Sequence, residues 1–117
     1  MQHSAQIQSA RQSDGGYDYS DCFAIVKKDI RSADIAVGNL EVTLGGKPYT
    51  GYPAFSAPDE FLYAIRDAGF DVLMTANNHC LDRGRKGLER AIAMLDSLKL
   101  SHAGTYTDYE ERIHNYP

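Results

Sequence analysis

Phe70-Asp71-Val72-Leu73-Met74 runs directly into Thr75-Ala76-Asn77-Asn78-His79, and the reading of this stretch decides the fold. Its first half is a short apolar run that follows Gly69 and reads as a buried strand. Its second half then sets two carboxamides and an imidazole at that strand's carboxyl end. Open α/β sheets bind ligands in the crevice at those ends, so a functional cluster is expected here.

Working outward on the amino side, Ser56 precedes Pro58, Asp59 and Glu60, a cap followed by proline and acidic residues that announces a helix. Phe61, Leu62, Ile65 and Ala68 give that helix an apolar face, and Gly69 ends it. Farther back, Ser20 caps a helix expected over about Asp21 to Ser32, with Phe23, Val26 and Ile30 at helical spacing. Ile35-Ala36-Val37 reads as a second short strand, closed by Gly38-Asn39-Leu40-Glu41. From Gly45 to Pro58 glycines, prolines and tyrosines occur without a period, as in a functional surface loop that forms a wall or a lid.

On the carboxyl side, Leu88, Ile92, Leu95 and Leu98 predict a helix from about Arg85 to Leu98, and Ser101-His102-Ala103-Gly104 starts a third strand. Residues 108–117 carry too little apolar content to close a fold. Alternating helix and strand patterns make the fold class α/β, with right-handed crossovers and a mostly parallel sheet in one domain over residues 1–117.

Composition excludes several functions. Twelve Lys plus Arg against sixteen Asp plus Glu leave a net charge of −4, which provides no basic field for a nucleic-acid backbone. No stretch approaches the roughly 20 apolar residues of a membrane span, and the first residues lack an apolar signal core, so the chain as written is expected in the cytoplasm. Cys22 and Cys80 have no short-spaced partner, which predicts free, buried thiols.

Two strand ends, Asn39-Leu40-Glu41 and Asn77-Asn78-His79, combine hard oxygen donors with a borderline nitrogen donor, a set suited to Mg, Mn, Zn or Fe. A pair of divalent ions in such a site generates hydroxide near neutral pH and clamps a phosphate, while a histidine protonates the leaving oxygen. Asparagines after strands are also ordinary turn formers. Two such clusters at successive strand ends tip the balance toward a site for phosphoester hydrolysis.

His79 is the catalytic candidate. Asn39, Glu41 and Asn78 are candidate metal ligands, and His3 is a third donor by type, although a histidine near a terminus is usually solvated. Asn77, Asp82 and Arg83 are placed to meet substrate, with Arg85 and Lys86 at the same helix start. Tyr52, with Tyr49 and Phe55, can line a binding groove from the long loop. His102 reads as packed or solvated, and His114 carries no signal.

In order and spacing, Gly38-Asn39-Leu40-Glu41, Gly69-Phe70-Asp71-Val72, Ala76-Asn77-Asn78-His79, Leu81-Asp82, Gly84, Gly87-Leu88 and His102-Ala103-Gly104 resemble the poly-gamma-glutamate capsule biosynthesis protein CapA family. The resemblance covers most of the chain. It implies a layered α/β sandwich similar to calcineurin-like metallophosphatases, with a two-metal centre built on strand ends. Asn39 and Glu41 then correspond to the segment supplying a bridging acid, Asn78-His79 to the block supplying a ligand and a catalytic histidine, and His3 to the first motif's histidine.

The chain departs from the phosphatase pattern in having Asn39 and Glu41 where an aspartate motif is expected, and Cys80 where an acidic residue often follows the histidine. The resemblance also implies a first strand with a Gly-Asp motif before Met1 and further histidine motifs beyond Pro117, so a partial domain is expected. The partners it implies are an anionic polymer or a phosphorylated substrate, with membrane association only through flanking sequence. An isolated chain lacking a central strand is expected to be marginally stable, to associate, or to pair with another segment. The different readings are a non-catalytic module that grips a polymer or partner protein with its tyrosine loop, and an inactive fragment of the fold.

Overall fold

The computed structural model describes residues 2–114. Three short parallel strands, β1 (Val37–Asn39), β2 (Val72–Met74) and β3 (Ser101–Ala103), form a sheet in the order β1-β2-β3. Between them run helices α3 (Asp59–Ala68) and α4 (Gly84–Ser97), preceded by α1 (Ser4–Ala10) and α2 (Lys27–Ser32) and followed by α5 (Tyr109–His114). The α/β class, the parallel pairing and the alternation therefore stand as expected.

Register fixes what each sheet face does. Gly38, Leu73 and His102 are partners across the three strands. They share one face because side chains alternate along a strand. On that face Leu73 joins Leu62 and Ile65 of α3, Leu95 of α4, and Leu40, Leu44 and Phe55 in a single core. The opposite face carries Val37, Val72 and Met74, and there Val37 is 57% and Met74 41% exposed. Among the described residues the molecule is thus one helical layer on a sheet, a partial form of the layered fold.

Gly69 caps α3 in the left-handed region at φ 105°, as its position after the apolar face predicts. Arg90 of α4 fastens the helices together: its guanidinium donates to Asp59 Oδ1 and Oδ2 at 2.8 and 2.7 Å and to the Leu44 carbonyl at 2.7 Å. This bidentate geometry gives the pair directional strength that a single contact lacks.

Five expectations are corrected. The helix expected over Asp21–Ser32 is a 3₁₀ turn over Ser20–Phe23, then irregular chain, then α2. Ile25 and Val26 at the break are β-branched and exposed, so packing does not offset their lost rotamer freedom. The strand expected over Ile35-Ala36-Val37 is shifted to Val37–Asn39, leaving Ile35 outside it and 67% exposed. Ahead of these elements the polar start, Ser4–Ala10, is helical, with His3 as the N-cap and its N–H donating to Gln6 Oε1 at 2.7 Å. Ser56 does not cap α3, because its hydroxyl donates to the Gly46 carbonyl instead, and Pro58 stands at the cap. Finally, Cys22 is free but exposed, whereas Cys80 is half-buried.

Tyr19 gives the fold a pH dependence. Its ring is buried against Phe61, and among the described residues its hydroxyl and the nearby Gln2 carboxamide make no hydrogen bond that meets ordinary geometry. Burial pushes the phenol well above its ordinary value. The folded state thus holds this proton more tightly than the unfolded chain, so stability is intact below about pH 10 and falls as pH rises beyond it. Tyr19→Phe should leave neutral-pH stability unchanged or raised, since an unsatisfied hydroxyl is removed, and should blunt the alkaline loss. Urea midpoints measured across the alkaline range for both proteins check this; an identical alkaline slope in the variant would contradict it.

Candidate functional site

The carboxyl ends of β1 and β2 meet through Asn77. Its Nδ2 donates to Asn39 Oδ1 at 3.1 Å and to the Leu40 carbonyl at 2.9 Å, while its Oδ1 accepts the His79 N–H at 3.0 Å. The two Nδ2 bonds join the strand ends, and the Oδ1 bond shapes the turn that follows β2. Asn77, expected to contact substrate, is instead the internal tie of the cluster. Asn39 in turn directs its own Nδ2 at Glu41 Oε2, 3.4 Å away.

His79 is fixed on every side but one. Its carbonyl accepts from Thr43 Oγ1 at 2.6 Å, its ring packs edge-on against Phe55 at 4.6 Å between centroids, and its Nδ1 lies 2.8 Å from Asp82 Oδ2. Both side chains of that pair are only 12% exposed. Nε2 makes no hydrogen bond among the described residues. His3, although exposed, leans its ring on the same Phe55 at 5.5 Å, so one phenylalanine touches both imidazoles.

The other expected residues fall into two groups. Glu41 and Asn39 line a groove of about 180 Å³ with Phe23, Phe61, Phe70 and Leu73, beside the strand ends. Asn78 is exposed next to His79. Arg83 faces away from this cluster toward the long loop, donating from Nη1 to the Pro48 carbonyl at 3.0 Å. Tyr52 projects into solvent from that loop. His102 is packed, with Nε2 3.0 Å from Asp96 Oδ1.

The long loop is a wall. Thr50 and Ser56 exchange two backbone hydrogen bonds, at 3.1 and 2.9 Å, and Phe55, Ser56 and Ala57 are buried. The lid expectation is corrected: these residues are core, and core does not swing open.

Gly104 explains how Thr75-Ala76-Asn77 can pass the end of β3. It sits at φ 116°, and a Cβ there would lie 2.6 Å from Ala76 Cβ and 2.7 Å from Ala76 N. Gly104→Ala would both strain the backbone and push this segment, at an expected cost of about 1–3 kcal/mol. Chemical denaturation should register the loss, with amide shifts concentrated at residues 75–79; an unchanged midpoint would contradict the close approach.

As a donor set, Glu41, Asn39, Asn78 and the His79 Nε2 are chemically suited to a hard divalent ion. They are too few. Among the described residues no group of three or more His, Cys, Asp or Glu side chains could hold a metal ion. By type these four residues are donors, and among the described residues they do not by themselves form a metal site.

Sequence reasoning missed Asp82 as the partner of His79, Phe55 as the junction of two histidines, and Thr43 as a clamp. The three-residue spacing of His79 and Asp82 within a turn was the one local signal for the first. Nothing local points to the other two.

A family model described as bacterial capsule synthesis protein PGA_cap matches residues 1–115. The capsule biosynthesis protein CapA of Bacillus anthracis is 29% identical over 102 residues, which cover 82% of this chain and 24% of that protein. Two uncharacterized proteins of Sinorhizobium fredii, y4sH and y4uA, are each 32% identical over 91 residues, or 70% of this chain and 20% of theirs. The chain thus spans a quarter or less of the length of these relatives.

Proposed function

The chain belongs to the bacterial capsule synthesis protein PGA_cap family, and from that premise we propose that the joined ends of β1 and β2 are part of a phosphoester-cleaving site serving the synthesis or export of an anionic capsule polymer such as poly-gamma-glutamate. The observation that carries this reading is the side-chain tie from Asn77 to Asn39 and Leu40, which brings Glu41 and His79 to one sheet edge. Asn77 does what a turn-forming asparagine does, its Oδ1 accepting the His79 N–H, and in addition its Nδ2 bridges 38 residues of sequence to Asn39.

In this reading His79 exchanges a proton with a substrate oxygen through Nε2, the ring atom left unengaged. Glu41 presents a carboxylate at the neighbouring β1 end, with Asn39 Nδ2 directed at it, and the exposed Asn78 carboxamide donates to a phosphoryl oxygen. A divalent ion, possible as one or a pair of Mn, Mg, Zn or Fe, would need donors beyond those the described residues bring together. Activity should accordingly demand added metal in excess.

A second reading keeps the fold as a module that holds polymer without cleaving it through the long loop, whose Tyr52 is 73% exposed. One experiment separates the two: hydrolysis of p-nitrophenyl phosphate and retention of poly-gamma-glutamate, each with added Mn²⁺ and with EDTA. Hydrolysis that rises with Mn²⁺ and returns to background in EDTA supports the site. Polymer retention indifferent to EDTA, with no hydrolysis, supports the module and overturns the first reading.

A further inference from the structure

Asp82 accepts two hydrogen bonds on one oxygen. The backbone N–H of Phe55 donates to Oδ2 at 2.7 Å, and Nδ1 of His79 lies 2.8 Å from the same atom. An ionised carboxylate can only accept, so the proton between these groups belongs to the histidine. We infer that Asp82 is a positioning residue that locks His79 as the Nδ1–H tautomer, with the wall loop holding Asp82 in place through the Phe55 amide.

Several features make this lock rigid rather than incidental. The ring cannot rotate freely, because Phe55 packs against it at 4.6 Å and its backbone is held at both N–H and carbonyl. Phe55 itself is fully buried, so the amide that orients Asp82 is fixed by the core. Thr50, Ser56 and Gly46 brace the loop around it. A neutral His79 therefore presents a lone pair at Nε2, and this nitrogen accepts a proton or ligates an ion. To donate a proton from Nε2, the ring must first be the imidazolium. The wall thus belongs to the site: its conformation at Phe55 sets which nitrogen His79 offers.

This inference rests on the proposed role of His79 for its meaning but is tested without any activity. Long-range ¹H–¹⁵N correlation on the labelled chain, at a pH where the ring is neutral, reads the protonation of each ring nitrogen directly. The wild-type chain should show Nδ1 in the protonated range and Nε2 in the unprotonated range, with the Phe55 amide proton shifted far downfield by its carboxylate partner. Asp82→Ala, which removes the acceptor, should release His79 from the Nδ1–H form into a mixture of both tautomers and bring the Phe55 amide upfield, with resonances of β2 and α4 unchanged as the control for folding. Should Asp82→Ala fail to fold, the wild-type tautomer alone decides. An Nε2–H form in the wild type, or a tautomer that ignores Asp82→Ala in a folded chain, overturns the inference even if hydrolysis is observed. A locked Nδ1–H tautomer with no hydrolysis leaves it intact and removes the proposed reaction instead.

Discussion

His79→Ala is expected to lower divalent-dependent phosphoester hydrolysis by about 10²–10⁴-fold, the ordinary worth of a positioned acid–base group. Among the described residues the ring is the one titratable side chain at the β2 end that is clamped by a half-buried carboxylate and still offers an unengaged nitrogen. Removing it also strips Asp82 of one partner, leaving the Phe55 N–H alone on Oδ2. That loss of a part-buried hydrogen bond costs about 1–3 kcal/mol of stability. The rate must therefore be measured on protein shown to be folded, with His79→Gln as a companion that keeps a polar group in the space. A fall in rate that merely tracks the folded fraction would mean that His79 holds the structure and does no chemistry.

Phe55→Ala should be the most damaging single change to the fold. The side chain is wholly buried, it lies in the core with Leu44, Leu62 and Leu95, and it supports the rings of His3 and His79. Emptying such a position costs about 3–5 kcal/mol, from lost burial and from the cavity that remains. A small domain has roughly 5–15 kcal/mol in total. With one open sheet face bearing Val37 and Met74, this chain is expected at the low end of that range, so the variant should be largely unfolded in buffer. Urea denaturation followed by circular dichroism reads the outcome, and Phe55→Leu, which keeps most of the volume, should retain a cooperative transition. A midpoint in Phe55→Ala close to that of the wild type would show that the wall loop is not core.

Where hydrophobic period governs, the sequence was legible. Leu62, Ile65 and Ala68 placed α3, Ile92 and Leu95 placed α4, and the apolar run before Asn77 placed β2, because burial of these side chains against one sheet face is what makes those elements form. The end of β1 was legible only from the polar Asn39-Leu40-Glu41 stretch, because Ile35 and Val37 are exposed and the strand begins two residues later than their apolar run suggests. What escaped depends on partners distant in the chain. Asn77 and Asn78 look alike in sequence, yet one is consumed by a residue 38 positions away and the other faces solvent. Asp82 looks like a helix-start carboxylate free to meet substrate, and its commitment to Phe55 spans 27 residues. Ser56 has every local feature of a cap and is diverted by the Gly46 carbonyl. The Asp21–Ser32 helix failed differently: of its periodic positions Phe23 and Ile30 are half-buried, but Val26 is exposed and no core stands opposite it.

The most direct test of a functional centre at the joined strand ends is the titration of Mn²⁺ into ¹⁵N-labelled chain, read as paramagnetic broadening of each amide. Even a partial donor set concentrates the ion locally, and broadening maps where it resides without requiring turnover. The account predicts that the amides of Asn39, Leu40, Glu41, Asn78 and His79 broaden first, and that Glu41→Ala abolishes this pattern while the remaining spectrum is retained. Broadening confined to Glu110 and Glu111, or spread evenly over the acidic surface, would contradict it.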